Sequence, residues 1–471
     1  MFIGREKELE ELVEKINNNR FESILIYGRR RIGKTELIKE ATKSANSKVI
    51  YYECKRALLN DNLKDFNNEI NNVLKTEFTF DSFRKLFKYL FELSKEQKLI
   101  LIIDEFPFLI EANKTIVSDL RDFIDAYNSI SKMKIILSGS FVEVMKSLND
   151  GASETYGRFT SIISLEPFDY FDSSRFYLNY TNEEKILMYS IFGGVAFFNK
   201  LINSKITPLE NIKNLILEKN SILQLEVENT IISEINKISL ANSVINIIGE
   251  GSSKYSDVVN KITSDKSSKV SPDYIFKKLI NLEIIEKVAP INDANNKKRT
   301  FYRFKDNLME FYYRYIYRYK NANSYLSVDD FYEEFVKEDL MNKYLPYKFE
   351  SISKEFLIRA NKAHKINPLF YDIGTYSFND ENHKINRQFD LVTKDKNGYI
   401  SYECKYKNKP ISRSVIHEEE YQILNSGLNV YKLGFISKSG FDEGVEKDKY
   451  NLFTLDDFYK FEWVLIIVSI K

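Results

Sequence analysis

Apolar and polar positions alternate along this chain in two different rhythms. Between Glu6 and Ile16, the residues Leu9, Leu12, Val13 and Ile16 recur at helical spacing with polar residues between them, which predicts an amphipathic helix. Short unbroken apolar runs follow at Ser23 to Tyr27, at Leu99 to Ile103, and at Lys134 to Ser140, where the run ends in the hydroxyls Ser138 and Ser140. Runs of this length bounded by polar turns read as strands buried on both faces. Residues 47 to 53 give a further strand, residues 60 to 95 a long helical stretch, and Val117 to Ile130 another helix. Strands alternating with helices imply a parallel sheet in an α/β fold.

The pattern changes after residue 240. Ala241 to Gly249, Tyr255 to Ile262 and a third helix opening at Ser271 form a helical trio, and the third runs into a strand that ends near Val288. Lys297, Lys298 and Arg299 mark a basic loop before the returning strand Thr300 to Phe304. The order is that of a helix-turn-helix followed by a hairpin wing. The aromatic run Phe311 to Tyr319 has helical spacing and reads as core and interdomain packing. Further on, Gln388 to Thr393 and Tyr399 to Lys405 flank a turn at Lys394 to Gly398, predicting a hairpin. The apolar run Trp463 to Ile470 reads as a last buried strand.

Chemistry enters first at residues 28 to 35, Gly28-Arg29-Arg30-Arg31-Ile32-Gly33-Lys34-Thr35, which fit G-x-x-x-x-G-K-[ST] between a strand and a helix that continues through Glu36. Glycines at 28 and 33 let the backbone turn its N–H groups onto phosphate oxygens, with the positive end of the helix behind them. Lys34 would then lie along the β- and γ-phosphates. Asp104 ends the apolar strand at 99 to 103, where it and the Thr35 hydroxyl would hold Mg²⁺. Glu105, one residue on, is placed to act as base toward the attacking water. ATP and Mg²⁺ are the expected cofactors, and hydrolysis is expected beyond binding. Ser138, at the tip of its strand, is expected near the γ-phosphate as a sensor of hydrolysis; the alternative is an ordinary strand end.

Several short segments occur in the order seen in the archaeal-type ATPases of the AAA+/STAND group, which the chain resembles along nearly its whole length. They are Phe2-Ile-Gly4-Arg5-Glu6, the phosphate loop, Ile103 to Phe106, Leu137 to Ser140, Tyr156-Gly-Arg158 and Gly193-Gly194. The resemblance implies that Phe2, Gly4 and Arg5 lie near the adenine and that Arg158 reaches a γ-phosphate, its own or a neighbour's; Arg158 serves equally as a tether between a loop and an acid. It also implies that Gly193-Gly194 belongs to a helical lid, although Ala196 stands where the family usually has proline. The segment from 239 to 325 resembles the winged helix of the same ATPases.

The hairpin resembles the core of a PD-(D/E)xK nuclease. Alternation places Asp390 opposite Glu403 and Lys405 on one sheet face, where the carboxylates can hold Mg²⁺ and the lysine can position water. Glu350, on the preceding helix, matches the family's helical acid. Glu53-Cys54-Lys55 repeats the Glu-x-Lys tripeptide with no aspartate before Asp61, so the tripeptide alone proves nothing. Gln388 stands where the family often has an acid. Such a fold either cleaves nucleic acid or is retained as an inert binding module.

These elements predict a P-loop ATPase core at 1–170, a helical lid at 171–238, a winged helix at 239–325, and a restriction-endonuclease-like α/β domain at 326–471. Composition adds boundaries. With 471 residues and 43% hydrophobic content the chain supports several ordinary cores. Its 69 basic and 68 acidic residues leave a net charge of +1, so no chain-wide field draws it to nucleic acid or membrane. Residues 240 to 320, however, hold 15 basic against 9 acidic side chains, a surplus favouring contact with DNA phosphates, with Lys277 and Lys278 of the third helix toward the major groove; DNA is expected as partner ahead of RNA, and a docking or spacer role is the alternative. Two cysteines and an N-terminus without a basic-then-apolar leader point to the cytoplasm, and no apolar run reaches the ~20 residues of a membrane span. Cys54 and Cys404 are expected to be buried, and His364, His383 and His417 lack zinc spacing. A homo-oligomer remains open through Arg158.

Overall fold

The computed structural model describes residues 2–460 apart from 252–253, 264–271, 295, 297–298, 381–384, 425–427 and 447, with backbone alone at 263, 379–380 and 385–387. Ser271, Lys297, Lys298, His383 and the run Trp463 to Ile470 therefore lie outside the described residues. The chain divides into two compact units, one of Met1–Pro167 with Val195–Phe197, the other of Phe168–Gly194 with Phe198–Lys471. This division cuts across the boundary expected at residue 170, and it assigns three residues beyond Gly194 to the ATPase unit.

The first unit is built on five parallel strands: β1 (Glu22–Tyr27), β2 (Lys48–Glu53), β3 (Leu99–Asp104), β4 (Lys134–Gly139) and β5 (Ser161–Ser164). Their order is β2-β3-β4-β1-β5, every neighbouring pair parallel. All residues of β1, β3 and β4 are buried, which explains the unbroken apolar runs. Strand alternation sends Leu25, Leu101, Ile103 and Ile135 into one core and Ile24, Ile26, Ile100, Ile102 and Ile136 into the other. The first core is closed by Phe66, Phe87 and Phe91, the second by Leu12, Ile16, Leu37 and Ile38.

The helical stretch expected through 60 to 95 is two helices, Leu59–Leu74 and Phe83–Glu96. Lys75 closes the first in a left-handed conformation (φ 60°), and the Ser82 hydroxyl caps the second by accepting from Lys85 N. Between them the Asn67 side chain exchanges two hydrogen bonds with the backbone of Phe80, at 3.0 and 2.9 Å, standing in for a strand partner.

In the second unit the helices Ile238–Gly249, Tyr255–Thr263 and Asp273–Asn281 precede an antiparallel pair, β6 (Ile285–Val288) and β7 (Phe301–Phe304). The aromatic run buries Tyr312, Tyr313 and Tyr315 in a π-helical segment, Tyr312–Tyr317. Their hydroxyls donate to Glu228, Asn242 and Asp339, so each ring is packed and each polar tip satisfied. The helix Leu345–Lys362 then lies on a mixed sheet of β8 (Asp372–Asp380), β9 (Ile385–Asp395), β10 (Gly398–Lys405), β11 (Val430–Ser437) and β12 (Asn451–Thr454), in the order β12-β11-β10-β9-β8. Phe349, Ile352, Phe356 and Leu357 of that helix pack on Leu391, Ile400, Tyr402 and Ile436.

Part of the segment after β6 is bonded to the edge of β8. Ile291 N donates to Thr375 O at 2.8 Å, Ser377 N donates to the Asn292 side chain, and Arg299 donates to Ser377 O. Pro290 to Asp293 thus lines the open edge of β8, and Arg299 is held on the same edge.

The helix Leu345–Lys362 also carries Glu355, which accepts from Tyr189 Oη at 2.9 Å and from Tyr170 N at 3.1 Å. Burial, then the Asp169 carboxylate, pushes its carboxyl up from 4.5 to about 8. The folded chain therefore keeps this proton to a higher pH than the unfolded one, and unfolding releases it across that window. Stability contributed at this site falls as pH rises from 4.5 toward 8. Glu355→Gln keeps an acceptor for both donors and cannot ionise. It is expected to match the wild type near pH 5 and to exceed it near pH 8 by on the order of 2–4 kcal/mol, read by denaturant unfolding at both pH values.

Candidate nucleotide site and carboxylate cluster

The phosphate loop leaves the C-terminal end of β1. A Cβ on Gly28 would stand 2.5 Å from Leu165 O, so only glycine fits there. Arg31 (φ 64°) and Gly33 (φ 102°) are left-handed, and the helix Lys34–Thr42 starts directly after them. Ile32 is buried beneath the loop, Arg29 is half-exposed, and Arg30 and Glu36 are exposed. Lys34 is only 5% exposed, and its Nζ donates to Gly28 O at 3.0 Å and Arg29 O at 3.3 Å. Burial lowers its pKa, while Glu105 and Asp104 oppose that fall. A buried ammonium lying across a turn of backbone amides is a cradle for a polyanion.

Thr35 Oγ1 donates to Asp104 Oδ2 at 2.8 Å, bringing together the two residues expected to hold the metal. Asp104 is buried and also accepts from Tyr51 Oη at 2.7 Å. Tyr51 escaped the sequence reading; its signal is its place two residues before Glu53, which is registered with Asp104 on the neighbouring strand. Glu105 is left-handed (φ 49°), and its Oε2 accepts from Ser140 N at 3.1 Å and Ser140 Oγ at 2.8 Å. Because β4 lies between β1 and β3, its tip meets both the loop strand and the acidic strand. The hydroxyl that reaches Glu105 is Ser140, the first residue past the strand. Ser138, still inside β4 and paired with Ile26, is fully buried.

Arg158 is held by Asp125, its Nε and Nη2 both 2.9 Å from that carboxylate, and by Tyr156 O. At the N-terminus, Gly4 (φ 69°) and Arg5 (φ 64°) turn the chain so that Phe2 packs on the Ile24 and Ile26 core. The Arg5 guanidinium donates to Glu166 O and pairs with Glu8 at 3.5 Å. Phe197 is a further residue that motif reading missed. Its N–H donates to Arg31 O at 3.3 Å and its ring lies 4.3 Å below the Arg31 guanidinium, so the segment beyond the glycine pair reaches the phosphate loop. Gly194 itself admits no side chain, since a Cβ would fall 1.8 Å from Phe168 O.

A parallel sheet with the phosphate strand flanked by β4, a glycine-bounded loop, a buried lysine and a hydroxyl–carboxylate pair define a P-loop ATPase. Residues 2–197 match the family described as an ATPase domain predominantly from Archaea, and residues 312–421 match a family of archaeal and bacterial proteins of unknown function. An uncharacterized protein of Methanocaldococcus jannaschii is 30% identical over 468 residues, covering 97% of this chain and 100% of the other. The chain belongs to the same family as that protein, with residues 2–197 matching the archaeal-type ATPase domain. An uncharacterized ATP-binding protein of the same organism is 55% identical over 40 residues, 8% of this chain and 68% of that one. The Walker-type ATPase of Pyrococcus abyssi matches at a TM-score of 0.48 and 18% identity, over 66% of this chain and 96% of the other.

A second constellation lies in the C-terminal sheet. Tyr402 pairs with Leu391 across the antiparallel β9–β10 hairpin, so the next positions along are Glu403 and Asp390. Glu350 faces them from the Leu345–Lys362 helix: burial first, then Asp390 and Glu403, push its carboxyl up to about 8. Burial also raises Glu403, against the pull of Lys405, whose ammonium pairs with Glu403 and lies 3.8 Å from Glu419. Glu419 was not singled out from the sequence, being one of three consecutive glutamates on the helix Arg413–Leu424; burial and Glu403 push it up to about 7. Gln388 Nε2 donates to Asp390 Oδ1 at 3.2 Å, an uncharged donor where a second acid would repel.

Carboxylates that raise one another in this way form a site that favours a cation. Among the described residues no three such side chains stand as a ready cage, and Lys405 pairs with Glu403.

Elsewhere, Lys277 is exposed and Lys278 half-exposed on the helix whose Ile275, Phe276 and Leu279 are buried. Both cysteines are free, Cys54 buried and Cys404 half-buried rather than enclosed as expected. His417 pairs with Glu420 at 3.2 Å. No helix among the described residues is long and apolar enough to cross a membrane.

Proposed function

We propose that this ATPase is a nucleotide-driven switch whose C-terminal domain is a Mg²⁺-dependent nuclease acting on DNA. The observation that carries the nuclease reading is the meeting of Glu350, Asp390, Glu403 and Lys405 from one helix and two strands at a single place. In the ATPase unit, Lys34 neutralises phosphate charge, Thr35 and Asp104 hold Mg²⁺, and Glu105, fixed by Ser140, takes the proton of the attacking water. Arg158 acts on a phosphate only by leaving Asp125, and a neighbouring subunit supplies one reason to do so. The segment 239–325 serves as a winged helix that presents Lys277 and Lys278 to DNA phosphates.

In the C-terminal domain Asp390 and Glu403 would hold a divalent ion, which when bound would supply Lewis acidity. Glu350 completes the acidic set, and Lys405, once released from Glu403, orients the water.

A second reading is favoured by the Lys405–Glu403 pair itself, which satisfies both charges without a metal: an inert module that binds nucleic acid or protein. Nicking of supercoiled plasmid with Mg²⁺, with and without ATP, decides between them. Magnesium-dependent nicking that vanishes in Asp390→Asn supports the nuclease; identical behaviour of the two proteins leaves the inert module.

Within the ATPase unit, Glu105→Gln is expected to retain ATP in an equilibrium binding assay and to slow phosphate release by ~10²–10³-fold, since only the proton acceptor is lost. Equal loss of binding would instead assign Glu105 to the architecture of the loop.

A further inference from the structure

A cavity of about 300 Å³ opens beside Glu350 and Asp390. Its walls come from the end of β6 and the segment after it that lines the β8 edge, from β7, from the Leu345–Lys362 helix, from the start of β8, and from Gln388 and Asp390 of β9. Pro290, Ile291, Phe301 and Tyr347 give it an apolar side, and Arg303 and Lys354 give it a cationic one. Arg303 is engaged by Glu286 at 2.6 Å. Lys354, one helical turn beyond Glu350, has no hydrogen bond or ion pair among the described residues; burial and then Arg303 lower its pKa. Asp372, Glu350 and Asp390 also line the space, so an anion enters only where a divalent cation answers the acidic end.

We propose that this cavity is a subsite for one unstacked nucleotide of the strand to be cleaved, its phosphate on Lys354 and its base or sugar against Tyr347 and Phe301. The proposal rests on the nuclease reading above and narrows its substrate class. A space of this size sits at the lower limit of small-molecule pockets and admits no duplex, whereas one splayed nucleotide fits. An aromatic wall opposite a cation is how single strands are held without base readout. Occupied in this way, the subsite sets the next phosphodiester toward Asp390 and Glu403, so the enzyme selects unpaired ends, flaps or gaps over intact duplex.

The test uses the full-length chain and a fluorescent, 5′-phosphorylated single-stranded hexadeoxynucleotide, with Ca²⁺ or EDTA, followed by anisotropy. Wild type is expected to bind in Ca²⁺ and to lose affinity in EDTA. Lys354→Ala should lose about 10-fold in Ca²⁺, with Lys354→Arg restoring most of it and ATP turnover unchanged in both. Under Mg²⁺ the same alanine variant should show a raised KM for single-stranded substrate with kcat nearly kept, the signature of a positioning residue. If oligonucleotide binding depends on Lys354 yet the wild type cleaves nothing, the subsite stands and the nuclease reading falls. Equal binding by wild type and Lys354→Ala, or a preference for duplex over single strand, overturns the subsite while leaving the nuclease reading to the plasmid assay.

Discussion

Replacing Lys34 by alanine is expected to remove nearly all ATP turnover, by about 10²–10³-fold in phosphate release, with loss of the thermal protection that ATP and Mg²⁺ confer. The expectation follows from the environment of the ammonium. It is 5% exposed, its pKa is lowered by burial, and its present partners are two carbonyls of its own loop, Gly28 O and Arg29 O. Those carbonyls are neutral, so the ammonium gains most when a phosphate takes their place. Lys34→Arg should rescue poorly, because a planar guanidinium does not fit a cradle built for a compact charge. Turnover in Lys34→Ala within tenfold of the wild type would show that the loop amides alone carry the phosphates. The fold should be unaffected, since the helix Lys34–Thr42 is anchored by Leu37, Ile38 and Ala41 rather than by the lysine.

Much of the ATPase unit is legible from residue pattern because its signals are local. Unbroken apolar runs become fully buried strands, and fixed glycines and a lysine become a loop whose geometry admits little else. What local pattern does not carry is register. Ser138 and Ser140 look equivalent in sequence, and only the end of β4 at Gly139 decides that one is buried and the other bonds Glu105. Tyr51 and Phe197 likewise become part of the site through strand pairing and a return of the chain, neither visible in their own neighbourhoods. The break at 75–82 was hidden because Asn67 and Asn71, unremarkable in a helix, hold the connection from inside it.

The C-terminal constellation is the opposite case. Asp390, Glu403 and Lys405 were placed correctly on one hairpin by a period of two, while Glu419 came from a helix with no distinguishing pattern. The docking of Pro290 to Asp293 on β8 was not legible at all. It depends on an unpaired sheet edge, and an edge is a property of topology rather than of sequence.

Asp390→Asn is expected to separate activity from stability in the C-terminal domain. Loss of one metal-holding carboxylate removes several kcal/mol of transition-state stabilisation, which at about 1.4 kcal/mol per decade means ~10²–10³-fold less Mg²⁺-dependent nicking. ATP turnover should not change. Stability should move the other way. Asp390 is exposed and is the first neighbour, after burial, that pushes Glu350 up to about 8; it is also among the groups that raise Glu403 and Glu419. Neutralising it relieves that repulsion, while the asparagine oxygen still accepts from Gln388. Without divalent cation the variant should therefore unfold at the same or a higher temperature than the wild type at pH 8, where a substantial share of Glu350 is ionised. Added Mg²⁺ should stabilise the wild type and leave the variant nearly unmoved. A site kept for catalysis carries such a cost in the absence of its cation, whereas a module kept for binding has no reason to retain it. Should Asp390→Asn prove both fully active and less stable, the acidic cluster is architecture, held by the Lys405–Glu403 pair, and the nuclease reading fails with it.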